Sequence, residues 1–158
     1  MPHDIRRKDR IMDDKDCRQV LLKGEYGVRA SADAGGQPYA TPLSYIYMDN
    51  AIYFHCAHEG HKIENISVNP KVCFAVVGRT QPVYAKNFTT YYESVVVFGT
   101  VAKIGGDQEK TALLMRLAEK YLPEHMDKAP SDISQSLSRT NIYHINIDYM
   151  TGKHKCPL

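Results

Sequence analysis

The sequence predicts a mainly β protein, a β-barrel of antiparallel strands with flanking helices packed outside it. Three observations carry this expectation. Strand-like segments follow one another with turn signals between them, which disfavours parallel βαβ units. Only one long amphipathic helix is visible. The chain has 158 residues, the length of a single domain (1–158), which can bury a core without disulfides. With 43% hydrophobic and 24% charged residues, the composition excludes global disorder.

The elements follow in order. Residues 2–16 are a charged N-terminal segment, with Arg6, Arg7, Lys8 and Arg10 set against Asp9, Asp13, Asp14 and Asp16; it reads as a short surface helix. Residues 25–32 alternate partly and are rich in small, strand-compatible residues. Ala34, Gly35, Gly36 and Gln37 form a hairpin turn. A strand over 38–48 follows, then a turn at Asp49 and Asn50, then a strand over 51–57. Residues 59–69 carry Ile63, Ile66 and Val68 at rough helical spacing and stop at Asn69-Pro70. The apolar run 71–77 has the length of a buried strand. Residues 79–90, with Pro82, read as a polar loop. The next strand, 91–104, contains Gly99, the mark of a bulge or bend. Residues 107–121 are the long helix: Asp107 can cap it, Pro123 ends it, and Leu113, Leu114, Leu117, Ala118 and Tyr121 form its core stripe. Residues 124–138 read as a loop with a short helix, and 140–149 as the last strand. The total is about six strands and one substantial helix.

Charge and cysteine usage narrow the function. Twenty Lys and Arg against eighteen Asp and Glu leave a net charge of +2, too small to argue for nucleic acid or a membrane surface as partner. The N-terminal aspartates cancel any basic arm. No apolar run approaches the ~20 residues of a membrane span. Residues 1–10 lack the apolar stretch of a secretory signal. Cys17, Cys56, Cys73 and Cys156 form no CxxC pair. They read as reduced thiols, and the expected location is cytoplasmic.

The densest polar cluster is His55-Cys56-Ala57-His58-Glu59-Gly60-His61-Lys62, between a strand and a short helix. Three readings compete for it. A metal site would use His58 and His61, but their spacing is one residue short of His-Glu-x-x-His, and Gly60 marks a turn rather than mid-helix. A phosphate site would use the unpaired amides of the helix start, the close backbone approach that Gly60 permits, and donors from His61 and Lys62. The plainest reading is a solvated polar turn.

The cluster sits in a longer pattern. Pro42-Leu43-Ser44-Tyr45-Ile46-Tyr47, Ile52-Tyr53-Phe54-His55-Cys56-Ala57, Glu59-Gly60-His61-Lys62-Ile63-Glu64-Asn65-Ile66 and Asn69-Pro70-Lys71-Val72-Cys73-Phe74 resemble the pyridoxamine-phosphate-oxidase-like flavin proteins, and most nearly their nitroimidazole-resistance subgroup. Residues 88–96, Gly99 and Thr151-Gly152-Lys153 extend the match over roughly 4–153. The resemblance implies a split β-barrel homodimer with FMN at the subunit interface. Carried over by position, Thr41, Pro42, Leu43 and Ser44 lie along the flavin ring and ribityl chain. His55, Cys56 and Ala57 pass beside them. Gly60, His61 and Lys62 hold the phosphate with Asn65 nearby, and Glu93 and Ser94 come from the partner subunit. The oxidase usually has an arginine where this chain has His61, and imidazole is a weaker, pH-dependent phosphate ligand. The oxidase's C-terminal substrate-binding Trp and Arg have no clear counterpart, so pyridoxamine phosphate is not the expected substrate.

The function implied is an FMN-dependent oxidoreductase of the nitroimidazole-reductase type, acting on a small nitroaromatic or similar molecule. His55 is the candidate catalytic donor, with a structural histidine as the equal alternative. Tyr91, Tyr92 and Phe88 are candidates to line an apolar slot, against ordinary interface packing. Exposed residues 95–98 are expected to be covered by the two-fold interface. The rival from another class is a non-catalytic flavin- or haem-binding carrier or sensor. A metal hydrolase at His58 and His61 is a third.

Overall fold

A computed structural model describes residues 4–84 and 88–156. Eight strands and four α-helices run in the order β1 (Ile11–Met12), α1 (Asp14–Lys23), β2 (Gly27–Ala32), β3 (Pro38–Leu43), β4 (Ile46–Met48), β5 (Ala51–Cys56), α2 (His61–Val68), β6 (Lys71–Tyr84), β7 (Phe88–Lys103), α3 (Asp107–Tyr121), α4 (Ala129–Ser136) and β8 (Asn141–Lys155). Every paired strand is antiparallel. The fold is thus mainly antiparallel β with flanking helices, as the sequence predicts. Among the described residues no helix is long and apolar enough to cross a membrane.

Connectivity forces the sheet to curl. The strand order is β3-β2-β6-β7-β8-β5-β4, with β1 added on β8. Laid flat, the outer strands would stand about 29 Å apart. Yet β3 and β4 are joined through Ser44 and Tyr45 alone, a link that spans at most about 11 Å. The two edges must therefore approach without pairing, which leaves a barrel with an open seam. Inside it lie Phe54, Phe74, Val76, Val95, Val97 and Ile145, all fully buried. A second cluster forms where Leu113 and Leu117 of α3 pack on Ile46, Ile104 and Ile142.

Several sequence expectations need correction. The N-terminal helix does not occupy 2–16. Residues 2 and 3 lie outside the described residues, and α1 starts at Asp14, capped by the Asp13 carboxylate on the Asp16 amide at 2.8 Å. It continues to Lys23 because Cys17, Val20 and Leu21 give it a buried face. Residues 38–48 are two strands. The polar loop at 79–90 is instead a long hairpin arm of β6 and β7, paired from Thr80–Tyr92 to Tyr84–Phe88. Residues 85–87 lie outside the described residues. Asp107 does not cap α3, whose N-cap is Gly106; its carboxylate instead accepts from Lys110 Nζ at 3.4 Å. Residues 95–98 are not exposed as a run: Val95 and Val97 are shut inside the barrel, while half-buried Phe98 stacks on Tyr149 with ring centres 4.6 Å apart. The irregularity expected at Gly99 is present as a register shift against β8.

Candidate functional site

The strand β5 alternates cleanly at its end. Phe54 and Cys56 turn inward and are buried, while His55 faces out. Ala57, His58 and Glu59 are exposed and lead to Gly60, whose φ of 117° and ψ of 165° are open almost only to glycine. That turn aims the first turn of α2 back toward β3. The Gly60 carbonyl accepts the amides of Ile63 and Glu64 at 2.8 and 3.2 Å. The earlier amides of α2 lie in the turn whose N–H groups a helix leaves unsatisfied.

The wall opposite α2 is built by β2 and β3. Ser31 pairs with Tyr39, and Arg29 with Thr41, so these four side chains share one face. Two contacts fix the helix against that face. Tyr39 and His61 rings lie 4.1 Å apart, tilted by 36°. Asn65, which is 2% exposed, donates from Nδ2 to Ser31 Oγ at 3.3 Å. Asn65 thus clamps α2 onto β2. The corner is basic and crowded. Lys62 is half-buried and near enough to His55 and Cys56 to act on both. His55 keeps an exposed edge, but partial burial and then the Lys62 charge push its pKa down. Burial pushes the Cys56 thiol up, against the pull of Lys62, Arg29 and Lys103.

The structure brings Thr41, His55, Cys56, Gly60, His61, Lys62 and Asn65 to one region of the chain. Leu43 is buried beside it, and Pro42 and Ser44 are exposed at the end of β3. Glu93 and Ser94 lie elsewhere. Glu93 lines a separate cavity of about 920 Å³ with Lys23, Tyr26, Gly78, Arg79 and His154, and its Oε2 accepts from the Arg79 amide at 3.4 Å. Ser94 pairs with Val77 and Lys153 on the same sheet. Phe88, 93% exposed, packs edge-on against Tyr84 at the arm's end, whereas Tyr91 and Tyr92 are half-buried. Among the described residues no three His, Cys, Asp or Glu side chains gather as a metal site would need. Cys17, Cys56, Cys73 and Cys156 are not paired with one another among the described residues.

Two features escaped the sequence reading. Arg29 is fully buried in the inward phase of β2; the available signal was a charged residue at an apolar position of an alternating strand. The second is a clamp from α3 on the β3–β4 corner. Tyr121 Oη accepts from the Tyr45 amide at 2.8 Å and shares its hydrogen between the Glu25 and Tyr45 carbonyls. Lys120 Nζ donates to the Tyr45 carbonyl at 2.9 Å and lies 4.1 Å from the Tyr45 ring centre.

Comparison with known proteins agrees with this architecture. A profile of the pyridoxamine 5'-phosphate oxidase family matches residues 13–154. No curated protein matched the sequence. A solved candidate 5-nitroimidazole antibiotic resistance protein from Bacteroides thetaiotaomicron is 24% identical with a TM-score of 0.77, over 90% of this chain and 85% of that one. A FAD-binding protein from Mesorhizobium loti is 28% identical with a TM-score of 0.66, over 93% and 98%. A flavocytochrome from Azotobacter vinelandii is 17% identical with a TM-score of 0.85, over 98% and 73%. With the family profile spanning all but the ends of the sequence, the chain belongs to the pyridoxamine 5'-phosphate oxidase family.

Proposed function

We propose that the protein is an FMN-dependent oxidoreductase that reduces a small nitroaromatic or similar acceptor, with the flavin at the interface of a homodimer. The observation that carries the reading is the basic corner at the start of α2. Its donor set fits a phosphate monoester: the freed amides of a helix start, an ammonium on Lys62, an imidazole on His61 and a glycine turn on which a Cβ would touch nothing within 4 Å. The Thr41 hydroxyl is buried on the facing strand with no partner among the described residues, as a group awaiting a ligand would be. The FAD-binding relative supports a flavin as the ligand, and the candidate 5-nitroimidazole resistance relative supports a nitro compound as acceptor.

In this reading Gly60, His61 and Lys62 hold the phosphate, and Thr41, Pro42, Leu43 and Ser44 run beside the ring system and sugar chain. FMN supplies the electron transfer when bound. The chain's own part is to bind, orient and shield. His55, kept neutral at pH 7 by its surroundings and Lys62, offers a ring N–H to the acceptor without adding positive charge. The split between two surfaces supports the dimer. Glu93 and the α2 corner lie apart on one chain, and a two-fold axis is the economical way to bring one copy's corner to the other's Glu93 and Ser94. Exposed Tyr26, Val77, Tyr84 and Phe88 give that contact apolar area.

The test is a turnover assay with FMN, NADH or NADPH and a 5-nitroimidazole, following the acceptor's nitro absorbance and the amine product. Flavin-dependent formation of the amine is expected. Reduced nicotinamide consumed only by oxygen, with the nitro group intact, would contradict the reductase. A Soret band in the purified protein, with no FMN uptake, would favour the haem-binding carrier.

A further inference from the structure

Arg29 is 0% exposed. Its Nη2 donates to the Lys62 carbonyl at 3.4 Å, and its carbon centre lies 5.7 Å from the Phe54 ring centre. Its Nε and Nη1 are buried and meet no acceptor among the described residues. No carboxylate among those residues pairs with it. Burial drives its pKa below the ordinary arginine value, opposed only in part by Cys56 and Tyr39. A guanidinium shut from water with two open donors is costly, and an apolar side chain of similar volume would serve the core better.

The surroundings say what would compensate it. Directly across the β2–β3 pairing stands Thr41, whose Oγ1 is also buried and unpartnered. The carbonyl that Arg29 already touches belongs to the first turn of α2. Two unsatisfied polar side chains on adjacent strands thus face the helix start that carries His61 and Lys62. We propose that Arg29 is the buried anchor for the phosphate monoester of the flavin, closing on it from the strand side, with the Thr41 hydroxyl where the sugar chain meets the phosphate, while Lys62 and the α2 amides close from the helix side. The inference rests on the flavin reading. It supplies the guanidinium that the family resemblance expects at position 61, here delivered from β2 rather than α2, and it offsets the weakness of His61 as a phosphate ligand.

The experiment titrates full-length apoprotein with FMN and with riboflavin, which lacks the phosphate, by flavin fluorescence. The Tm is read with and without inorganic phosphate. Arg29→Met removes the charge at similar length, and circular dichroism checks its fold. The wild-type chain should prefer FMN to riboflavin. Arg29→Met should lose about 10- to 100-fold in FMN affinity with riboflavin affinity unchanged, and phosphate should raise the Tm of wild type only. If Arg29→Met does not fold, Arg29→Lys carries the comparison, with an expected loss of about tenfold in FMN affinity alone. A variant that keeps the wild-type FMN-to-riboflavin ratio would overturn the anchor and leave the flavin reading standing. A wild-type chain that takes up neither flavin, yet shows an Arg29-dependent phosphate shift, would overturn the flavin assignment and retain Arg29 as an anion site.

Discussion

His55 carries two separable roles that a pair of measurements can divide. Its pKa sits below the ordinary 6.5, so as pH falls the unfolded chain takes the proton first. Folding stability is therefore full above about 6.5 and declines as pH drops below it. His55→Gln should flatten the fall in Tm between pH 7 and pH 5 and lower turnover about tenfold or more, with FMN still bound. Unchanged turnover would reduce His55 to a structural histidine. Gly60 makes the other residue-level prediction. A Cβ there would meet no described residue within 4 Å, so Gly60→Ala costs only its backbone angles, about 1–3 kcal/mol. Urea unfolding should show that loss, and FMN affinity should fall with it because the first turn of α2 is re-aimed.

The elements that hold the site steady are the corner between β3 and β4 and the helix behind it. Tyr121 satisfies the Tyr45 amide and shares its hydrogen with two carbonyls. Tyr121→Phe leaves those groups short of a partner and should cost about 1–3 kcal/mol, measured by urea denaturation, while loosening the segment that carries Leu43 and Ser44. Beside it, burial lowers Lys120 from 10.5 to about 8. Between those values the unfolded chain holds the proton and the folded one does not, so stability rises with pH from about 8 toward 10. Lys120→Met should abolish that rise in a pH series of melting curves. Sequence pattern shows these elements unevenly. The range of α3 was legible to the residue because Leu113 and Leu117 repeat at helical spacing and Pro123 ends it. The break at Ser44 and Tyr45 was not, since Leu43, Tyr45 and Ile46 are all apolar and nothing local marks a corner; the corner is made by Tyr121, 76 positions away. The β6–β7 arm read as a loop because its outer half buries little, and exposed strands lose the alternation that identifies them. Pro82 is accommodated there opposite Thr90, in a place where a central strand would not tolerate it.

At the scale of the whole molecule, the barrel follows from seven strands whose first and last are joined by two residues. That closure puts β3 and the start of α2 face to face, and sequence alone located the polar half of the resulting corner from Gly60, His61 and Lys62. It could not locate Arg29, because only the fold shows that its strand phase points under α2. The same architecture leaves Glu93 on a different surface from the corner, and the proposed homodimer would bring a second copy's Glu93 to it. Cofactor and dimer should then be linked by mass action: FMN should shift sedimentation toward the dimer, and the Tm should rise with protein concentration. Whether the corner takes a flavin phosphate is decided by parallel titrations of the purified chain with FMN and with haem. Saturable FMN uptake at one per chain is expected, weakened in Lys62→Ala. Stoichiometric haem uptake with no saturable FMN binding would contradict it.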